Sequence, residues 1–184
     1  MAESSWKWQM ERERLDKDRF FAAHPQSPIP RAKRSSFTGL RYYPPDPAYR
    51  LVLTLKEHAH KKTIEIGDTT GYTRRLIRWG EFRFVLEDKK CTLQVYKSSG
   101  SEDGFFVPFK DKTNGKETYG AGRYLDLDPA RHMNPDGTWV LDFNEAYNPW
   151  CAYSEDYSCP FVPPENWLKV PVRAGEKAYP PRAA

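Results

Sequence analysis

Long apolar runs are missing from this sequence, and so is an apolar leader. No stretch approaches the roughly 20 consecutive apolar residues with which a helix crosses a bilayer. The N-terminal residues, MAESSWKWQMERERLDKDRF, are rich in charge and lack the apolar centre of a signal peptide. We therefore predict a soluble, cytoplasmic protein with no membrane partner.

Cysteine is also scarce, with only Cys91, Cys151 and Cys159 in 184 residues. An odd number this small does not form the disulfide framework of a small secreted domain, so we expect free thiols in a reducing compartment. Cys151 and Cys159 lack the CxxC spacing of a zinc site, and His58 and His60 occur without an HExxH motif. The sequence therefore predicts no metal site.

Motifs for nucleotide binding and for a serine nucleophile are absent as well. Gly120-Ala121-Gly122 begins like the GxGxxG motif, but Leu125 occupies the position of the third glycine. No P-loop and no GxSxG elbow occurs. We interpret the two glycines as the site of a β-bulge or a close backbone approach in a strand, and we predict no cofactor.

A nucleic-acid partner is not expected, although the net charge is +4. Residues 1–62 carry 13 basic and 7 acidic side chains, whereas residues 63–184 carry 16 basic and 18 acidic ones. The basic excess is therefore N-terminal, and acidic residues interrupt it. A nucleic-acid interface has a continuous basic face, so this pattern indicates a solvated surface instead.

Aromatic residues, proline and glycine are abundant, which is typical of a turn-rich chain of short strands. Aromatic residues make up 15% of the sequence, beside 16 prolines and 11 glycines. Apolar residues alternate with polar ones through residues 49–97, and polar turns such as Glu87-Asp88-Lys89-Lys90 separate the runs. This half of the chain predicts antiparallel hairpins. The fold class that follows is mainly β, an antiparallel β-barrel or strongly curved sheet with an N-terminal α-helix, or alternatively a β-sandwich.

Residues 3–23 predict the N-terminal helix, since Ser4 or Ser5 can cap a segment free of glycine and proline. Helical spacing places apolar side chains on two sides of this helix. One side carries Trp6, Met10 and Phe21, and the other carries Trp8, Leu15 and Ala22. We expect the helix to pack across the fold or against a partner, with a partly exposed appendage as the alternative.

Residues 105–177 mix charged and amide side chains directly among aromatic ones, so we predict that this half builds the functional site. In a strand over residues 121–127, alternation places Arg123 on the face of Leu125 and Leu127, with Tyr124 and Asp126 on the other face. An arginine on an interior face needs a partner. The candidate carboxylates are Asp111, Glu117 and Glu165.

A second predicted strand, residues 138–144, places Asp142 and Asn144 opposite Trp139, Leu141 and Phe143. Its polar groups fit either a structural network or a pocket for a polar ligand. The predicted ligand-binding residues are Arg123, Glu117, Tyr119, Asp142, Asn144, Asn148 and Glu165. Three of them, Glu117, Asp142 and Glu165, are carboxylates suited to acid–base chemistry, but no motif assigns them a reaction, so enzymatic activity stays open.

Four longer motifs carry a resemblance to a known family. They are FxGLxYYPPDPxYR from Phe37, VPFKDxTxGxETYGAGRYLDL from Val107, LDFNxAYNPxCAY from Leu141, and CPxxPPEN with AGEK towards the C-terminus. The chain resembles an uncharacterised bacterial and archaeal family, the domain of unknown function DUF1684. The resemblance covers nearly the whole chain, so it implies a single domain over residues 1–184. It implies no substrate or activity.

The function predicted from the residues is a polar small-molecule site. An arginine fork at Arg123 suits a carboxylate or a phosphate, so the expected ligand is an anionic metabolite. The alternative is a non-catalytic protein-interaction module, in which exposed tryptophans and the two-sided helix dock a partner. A homo-oligomer is compatible with either hypothesis.

Overall fold

Two antiparallel sheets and one long helix make up the regular structure of this protein. A computed structural model describes residues 3–98 and 104–180. A five-stranded sheet has the order β2-β3-β4-β5-β6, and β1 pairs with β7 in a two-stranded sheet. The strands are β1 (Arg50–Leu53), β2 (Lys56–Gly67), β3 (Thr73–Leu86), β4 (Lys89–Ser98), β5 (Phe105–Phe109), β6 (Arg123–Leu127) and β7 (Trp139–Asp142). The helices are α1 (Glu3–Ala23) and the short α2 (Pro129–His132).

This architecture confirms the predicted fold class, a mainly β fold of antiparallel sheets with an N-terminal helix. In the part of the chain that the structure describes, the two sheets are not closed into a barrel. No helix among the described residues is long and apolar enough to cross a membrane. The predicted single domain over residues 1–184 stays a prediction.

The alternation in the hairpin of β3 and β4 puts its apolar side chains into the core. Glu87 and Asp88 form the turn with φ angles of 50° and 57°, the left-handed conformation that tight hairpins use. The antiparallel register then aligns Phe84 with Cys91 and Phe82 with Leu93. The main core lies between this face of the five-stranded sheet, β1 with β7, and the C-terminal segment. Its buried residues include Phe82, Phe84, Leu93, Val95, Phe109, Leu125, Leu141, Phe143 and Val172.

Only one of the two apolar sides of α1 packs against the protein. Trp6, Met10 and Phe21 are 8%, 4% and 2% exposed, whereas Trp8 and Leu15 are 61% and 58% exposed. The indole Nε1 of Trp6 donates a hydrogen bond to Oδ2 of Asp142 across 2.9 Å. The helix therefore packs across the fold through the first predicted side.

The C-terminal segment carries little regular structure and is tied to the sheet by individual hydrogen bonds. The Asn166 side chain, which is fully buried, spans the gap between β4 and β5. Its Nδ2 donates to the carbonyls of Gln94 and Pro108 at 2.9 and 2.7 Å, and its Oδ1 accepts from the Gln94 amide at 2.8 Å. This side chain replaces backbone pairing where β4 and β5 share a single register pair, Tyr96 with Phe106.

Gly122 confirms the predicted close backbone approach. Its φ angle is 111°, and a Cβ atom there would lie 2.5 Å from Cγ2 of Val162 and 2.8 Å from the Phe109 carbonyl oxygen. Only glycine fits such a position. The close contact lets the segment around Val162 lie against the start of β6.

Candidate functional site

Arg123 lies in the core, on the same face of β6 as Leu125 and Leu127, as the alternation predicts. Its side chain has no exposed surface, and its Nη2 lies 2.9 Å from Oδ2 of Asp111. The guanidinium also donates to the carbonyls of Val172, Ala174 and Glu176. Its Nε has no hydrogen-bond partner among the described residues.

Asp111 completes a clamp around this guanidinium. Its Oδ1 accepts from the backbone amide and hydroxyl of Thr113 at 2.8 and 2.6 Å, and from the Val172 amide at 3.1 Å. Of the three carboxylates considered from the sequence, Asp111 is therefore the partner of Arg123. The ion pair joins β6, the loop after β5 and the C-terminal segment, and it leaves no face of Arg123 towards either cavity described below.

Asp142 and Asn144 form a second network, beneath α1. Both are 2% exposed. Asp142 accepts from Trp6 and from the amide and side chain of Asn144, and Nε of Arg50 lies 3.4 Å away. Asn144 also exchanges two hydrogen bonds with the backbone of Asp46, at 2.9 and 2.8 Å. These two side chains connect the helix, the loop before β1 and the end of β7.

The other four predicted residues form no hydrogen bond or ion pair with Arg123 or with one another among the described residues, although Asn148 and Arg123 both donate to Glu176. Glu117 is exposed and pairs with Arg173, and the Tyr119 hydroxyl lies 3.7 Å from Sγ of Cys151. The Asn148 side chain donates to the Lys177 carbonyl, and the Glu165 carboxylate accepts from the Tyr96 hydroxyl. Of the seven predicted residues, Asn144 alone lines either of the two cavities described next. That these seven bind one ligand stays a prediction, but the geometry distributes them over several separate networks.

The larger cavity, here called the aromatic cavity, has a volume of about 590 Å³. It lies on the outer face of the five-stranded sheet, opposite the core face of β6. Strands β3, β5 and β6 form its floor, and the loop of residues 147–160 forms its wall. The aromatic lining residues are Phe105, Phe106, Tyr124, Tyr147, Trp150 and Tyr157, and the polar or charged ones include Arg74, Asp126, Asp128, Ser158 and Cys159.

Asp126 and Tyr147 form a hydrogen-bonded pair inside the aromatic cavity. Tyr147 pairs with the edge of β6, because its backbone exchanges two hydrogen bonds with that of Tyr124, at 2.9 and 3.0 Å. This pairing brings the Tyr147 hydroxyl to 2.6 Å from Oδ2 of Asp126, to which it donates. Oδ1 of Asp126 has no hydrogen-bond partner among the described residues, and the side chain is exposed to the cavity.

The surroundings of this pair change the acidity of both groups. Burial raises the pKa of the Asp126 carboxyl, against the opposing effect of the Tyr147 hydrogen bond. Burial and the negative charge of Asp126 raise the pKa of the Tyr147 phenol. The carboxyl is thus reachable by a ligand in the cavity but surrounded by protein, the environment in which an ionic hydrogen bond is strong.

Negative charge prevails in the aromatic cavity. Arg74 is the cation of its lining, against Asp126 and Asp128. Arg74 is already engaged, since it donates to the Ser158 carbonyl at 2.9 Å and lies 3.7 Å from Oδ2 of Asp68. Asp128 caps α2 by accepting from the Ala130 amide at 2.9 Å. Asp126 forms no ion pair among the described residues, and His132 and Lys17, which line the adjoining cavity beneath α1, act to lower the pKa of its carboxyl.

A second cavity, the helix cavity, lies beneath α1 and has a volume of about 370 Å³. It meets the aromatic cavity at Asp126, Asp128 and Tyr147, which line both. Several of its charged groups are paired with one another, whereas Arg14 donates to the Tyr43 and Asn144 carbonyls and its Nε has no hydrogen-bond partner among the described residues. Arg131 bridges Glu13 and Glu145 at 2.6 and 2.9 Å, and Lys17 pairs with the buried Glu176.

These ion pairs attach α1 to the body of the protein. Burial acts to raise the pKa of Glu145, but the hydrogen bond from His132 and the charge of Arg131 outweigh it and lower that pKa. Because this cavity is smaller and several of its charges are paired, the helix cavity is a weaker candidate for a ligand site than the aromatic cavity. No group of three or more His, Cys, Asp or Glu side chains in the described ranges is arranged to hold a metal ion.

One feature of the sequence points to this cavity, although the predicted ligand-binding residues do not include it. Alternation in β6 places Tyr124 and Asp126 on the face away from the core, and an aspartate beside a tyrosine there marks the cavity floor. Tyr147 carried no such signal, since its position depends on a bridge to β6 between residues 23 positions apart. Phe106 and Trp150 likewise meet only in the tertiary structure.

Comparison with known proteins identifies a family and a solved structure that this chain resembles. The family described as "Protein of unknown function (DUF1684)" matches residues 35–177. The chain is also similar to the uncharacterized protein from gene locus rrnAC0354 of Haloarcula marismortui, a solution NMR structure, with 40% identity and a TM-score of 0.73. The similarity covers 95% of each chain. No curated protein matches this chain.

Proposed function

We propose that this chain, which belongs to the DUF1684 family of proteins of unknown function, binds a small aromatic amine in the aromatic cavity. The amine is expected to donate to the Asp126 carboxylate, while its apolar body lies among the aromatic side chains. The observation that carries the proposal is an unpaired carboxylate oxygen facing a cavity lined by aromatic rings.

The size and lining of the cavity support a small organic ligand. Its volume of about 590 Å³ falls within the usual range for ligand sites, about 300–1,000 Å³. Such sites combine many apolar and aromatic side chains with a few polar groups that orient the ligand. Phe106 and Tyr124, in edge contact with ring centroids 4.8 Å apart, provide a packed aromatic floor.

The charge of the lining supports an amine over an acid. A protonated amine satisfies the free oxygen of Asp126 and is attracted to the faces of neighbouring aromatic rings. A carboxylate or phosphate ligand would face Asp126 and Asp128 instead, while Arg74 is engaged by Asp68 and Ser158. The anionic ligand expected at Arg123 has less support, because that guanidinium has no exposed surface.

The position of Asp126 also supports selective binding. The Tyr147 hydroxyl, 2.6 Å from Oδ2, fixes the orientation of the carboxylate, so that Oδ1 is presented in advance of binding. A preorganised acceptor loses less conformational entropy when the ligand binds. We therefore expect Tyr147→Phe to weaken amine binding less than Asp126→Asn does.

A direct test uses three matched indole compounds as probes: tryptamine, its neutral analogue 3-ethylindole, and the acid indole-3-propionate. Binding is followed by chemical-shift changes in two-dimensional NMR spectra and by thermal shift. We expect tryptamine to bind most tightly and to perturb residues of the cavity. Asp126→Asn should weaken tryptamine binding about tenfold or more and leave 3-ethylindole binding unchanged, since it removes one ionic hydrogen bond of about 1.5–3 kcal/mol.

Matched controls separate a local effect from a general one. Asp16→Asn changes an exposed carboxylate that pairs with Arg19 on α1, and Tyr72→Phe removes a hydroxyl from a residue that is 75% exposed. Both controls should bind tryptamine like the wild type. The proposal is wrong if none of the three probes perturbs the cavity, or if the acid binds more tightly than the amine.

The alternative, an interaction module, is favoured by one observation on α1. Trp8 and Leu15 lie seven positions apart on the helix, and each is more than half exposed. If a second copy of this chain covers that face, sedimentation equilibrium should detect a dimer that Trp8→Ser with Leu15→Ser disrupts. A wild-type protein that is monomeric would rule out a dimer formed through this face of α1.

A further inference from the structure

Cys151 and Cys159 lie together at the wall of the aromatic cavity, although seven residues separate them in the chain. The backbone N–H of Cys151 donates to Sγ of Cys159 across 3.3 Å. Both residues are free cysteines, and Cys159 lines the cavity. Sγ of Cys159 thus lies next to the backbone of Cys151, and Cys159 borders the cavity.

The surrounding backbone holds each cysteine in place independently. Cys159 exchanges hydrogen bonds with Thr69 in the turn between β2 and β3: its carbonyl accepts from the Thr69 amide at 3.2 Å, and its own amide donates to the Thr69 hydroxyl at 3.2 Å. Cys151 lies in a turn of 3-10 helix, Trp150–Ala152. The fold therefore brings the two cysteines together from different parts of one wall loop.

We propose that Cys151 and Cys159 form a redox-active dithiol, in which Cys159 reacts with a small hydroperoxide entering the aromatic cavity and Cys151 resolves the product to a disulfide. This modification site does not depend on the ligand proposed above. It follows from the adjacency of the two thiols and from the access that the cavity provides.

The reaction consists of two balanced steps. The Cys159 thiolate attacks one oxygen of hydrogen peroxide, an S–O bond forms, the O–O bond breaks, and the departing hydroxide takes a proton to become water. Cys151 then attacks the sulfenic sulfur of Cys159, an S–S bond forms, the S–O bond breaks, and the second oxygen leaves as water with the proton from Cys151. The two thiols lose two electrons in total, and one peroxide molecule becomes two water molecules.

The environment assigns the roles of the two cysteines. The hydrogen bond from Cys151, aided by the charge of Arg74, lowers the pKa of the Cys159 thiol, whereas burial raises that of Cys91. Peroxide reacts with thiolates, so Cys159 is the expected point of attack. Cys91 and Cys159 are similarly buried, at 8% and 7% exposed, but Cys91 belongs to the main core and lines neither cavity, so it serves as an internal control.

The test is brief exposure of the reduced protein to hydrogen peroxide, followed by intact mass measurement and peptide mapping. We expect the wild type to lose two hydrogen atoms and two of its three thiols, with Cys151 and Cys159 joined within one chain and Cys91 still free. Cys91→Ser should give the same product. Dithiothreitol should restore the original mass.

The resolving role is tested with Cys151→Ser and dimedone, which labels sulfenic acids. Cys159 should carry the label in this variant, whereas wild-type protein should carry little, because Cys151 removes the sulfenic acid first. Wild-type protein that keeps all three thiols under these conditions would overturn the proposal. So would oxidation of Cys91 at the same rate as Cys159, or a disulfide that forms only between chains.

Discussion

The guanidinium of Arg123 lies 2.9 Å from the carboxylate of Asp111, and neither side chain has any exposed surface. This ion pair sits between β6 and the C-terminal segment, whose carbonyls accept the other hydrogen bonds of Arg123. Its surroundings make it a structural clamp, and the aromatic cavity lies on the opposite face of the same strand.

Removing one partner of this pair should destabilise the protein strongly. Arg123→Met leaves the Asp111 carboxylate buried without its cation, and we expect the free energy of unfolding to fall by about 3–5 kcal/mol. The double variant Arg123→Met with Asp111→Leu should be more stable than the sum of the two single changes predicts. Urea unfolding measures the free energies of unfolding of the single and double variants. Strictly additive changes would contradict the clamp.

Truncation of the two tryptophans near the start of α1 should change the stability of the protein by very different amounts. Trp6 is 8% exposed and donates to Asp142, so Trp6→Ala should lower the free energy of unfolding by about 3–5 kcal/mol. Trp8 is 61% exposed, and Trp8→Ala should change it by less than about 0.5 kcal/mol. Chemical denaturation of both variants provides the comparison, and equal losses would refute this orientation of α1.

Replacing the Asn166 side chain should destabilise the protein more than replacing most of its other side-chain amides. Asn166→Ala leaves three buried backbone groups of Gln94 and Pro108 without a partner, at about 1–3 kcal/mol for each lost partner, so we expect a loss of at least about 3 kcal/mol. Asn134→Ala is the matched control, because the Asn134 side chain donates to Thr138 in a surface turn. The control should lose less than about 1 kcal/mol, as measured by urea unfolding.

Asp126 should make stability depend on pH. Burial raises its pKa in the folded state, so between its unfolded-state pKa, about 3.9, and the higher folded-state value the folded protein binds more protons. The contribution of Asp126 to stability therefore falls as the pH rises through this window. The asparagine in Asp126→Asn does not ionise, so the variant does not show this loss of stability.

We expect the free energy of unfolding of Asp126→Asn, minus that of the wild type, to increase as the pH rises through this window and then to level off. Other titrating groups are common to both proteins and cancel in the difference. Urea unfolding across acidic to neutral pH measures it. A difference that shrinks with rising pH would show that the pKa of Asp126 is lowered instead.

Amine binding should also depend on the ionisation of Asp126, and it should strengthen as the pH rises. Tryptamine needs the ionised carboxylate, so its affinity for the wild type should decrease as the pH falls through the folded-state pKa of Asp126. Asp126→Asn should bind weakly at every pH. Isothermal titration calorimetry at several pH values tests this, and a wild-type affinity independent of pH would argue against Asp126 as the anchor.

The pattern of the chain determined much of the fold and of the orientation of its side chains. Helix formers bounded by serine and proline define α1, and alternation in β3, β4 and β6 decides which apolar side chains enter the main core. The inward position of Arg123 follows from its register with Leu125 and Leu127. These features are local, because a backbone of period two or 3.6 sets the direction of each side chain.

The partners of those side chains were decided by the tertiary structure. Asp111, Glu117 and Glu165 were equal candidates for Arg123 until the loop after β5 and the C-terminal segment were placed around it. The aromatic cavity likewise joins Asp126 on β6 to Tyr147, 21 positions away, through a backbone bridge outside the regular strands. Contacts of this kind depend on how separate segments pack together, and no periodicity within a single segment encodes them.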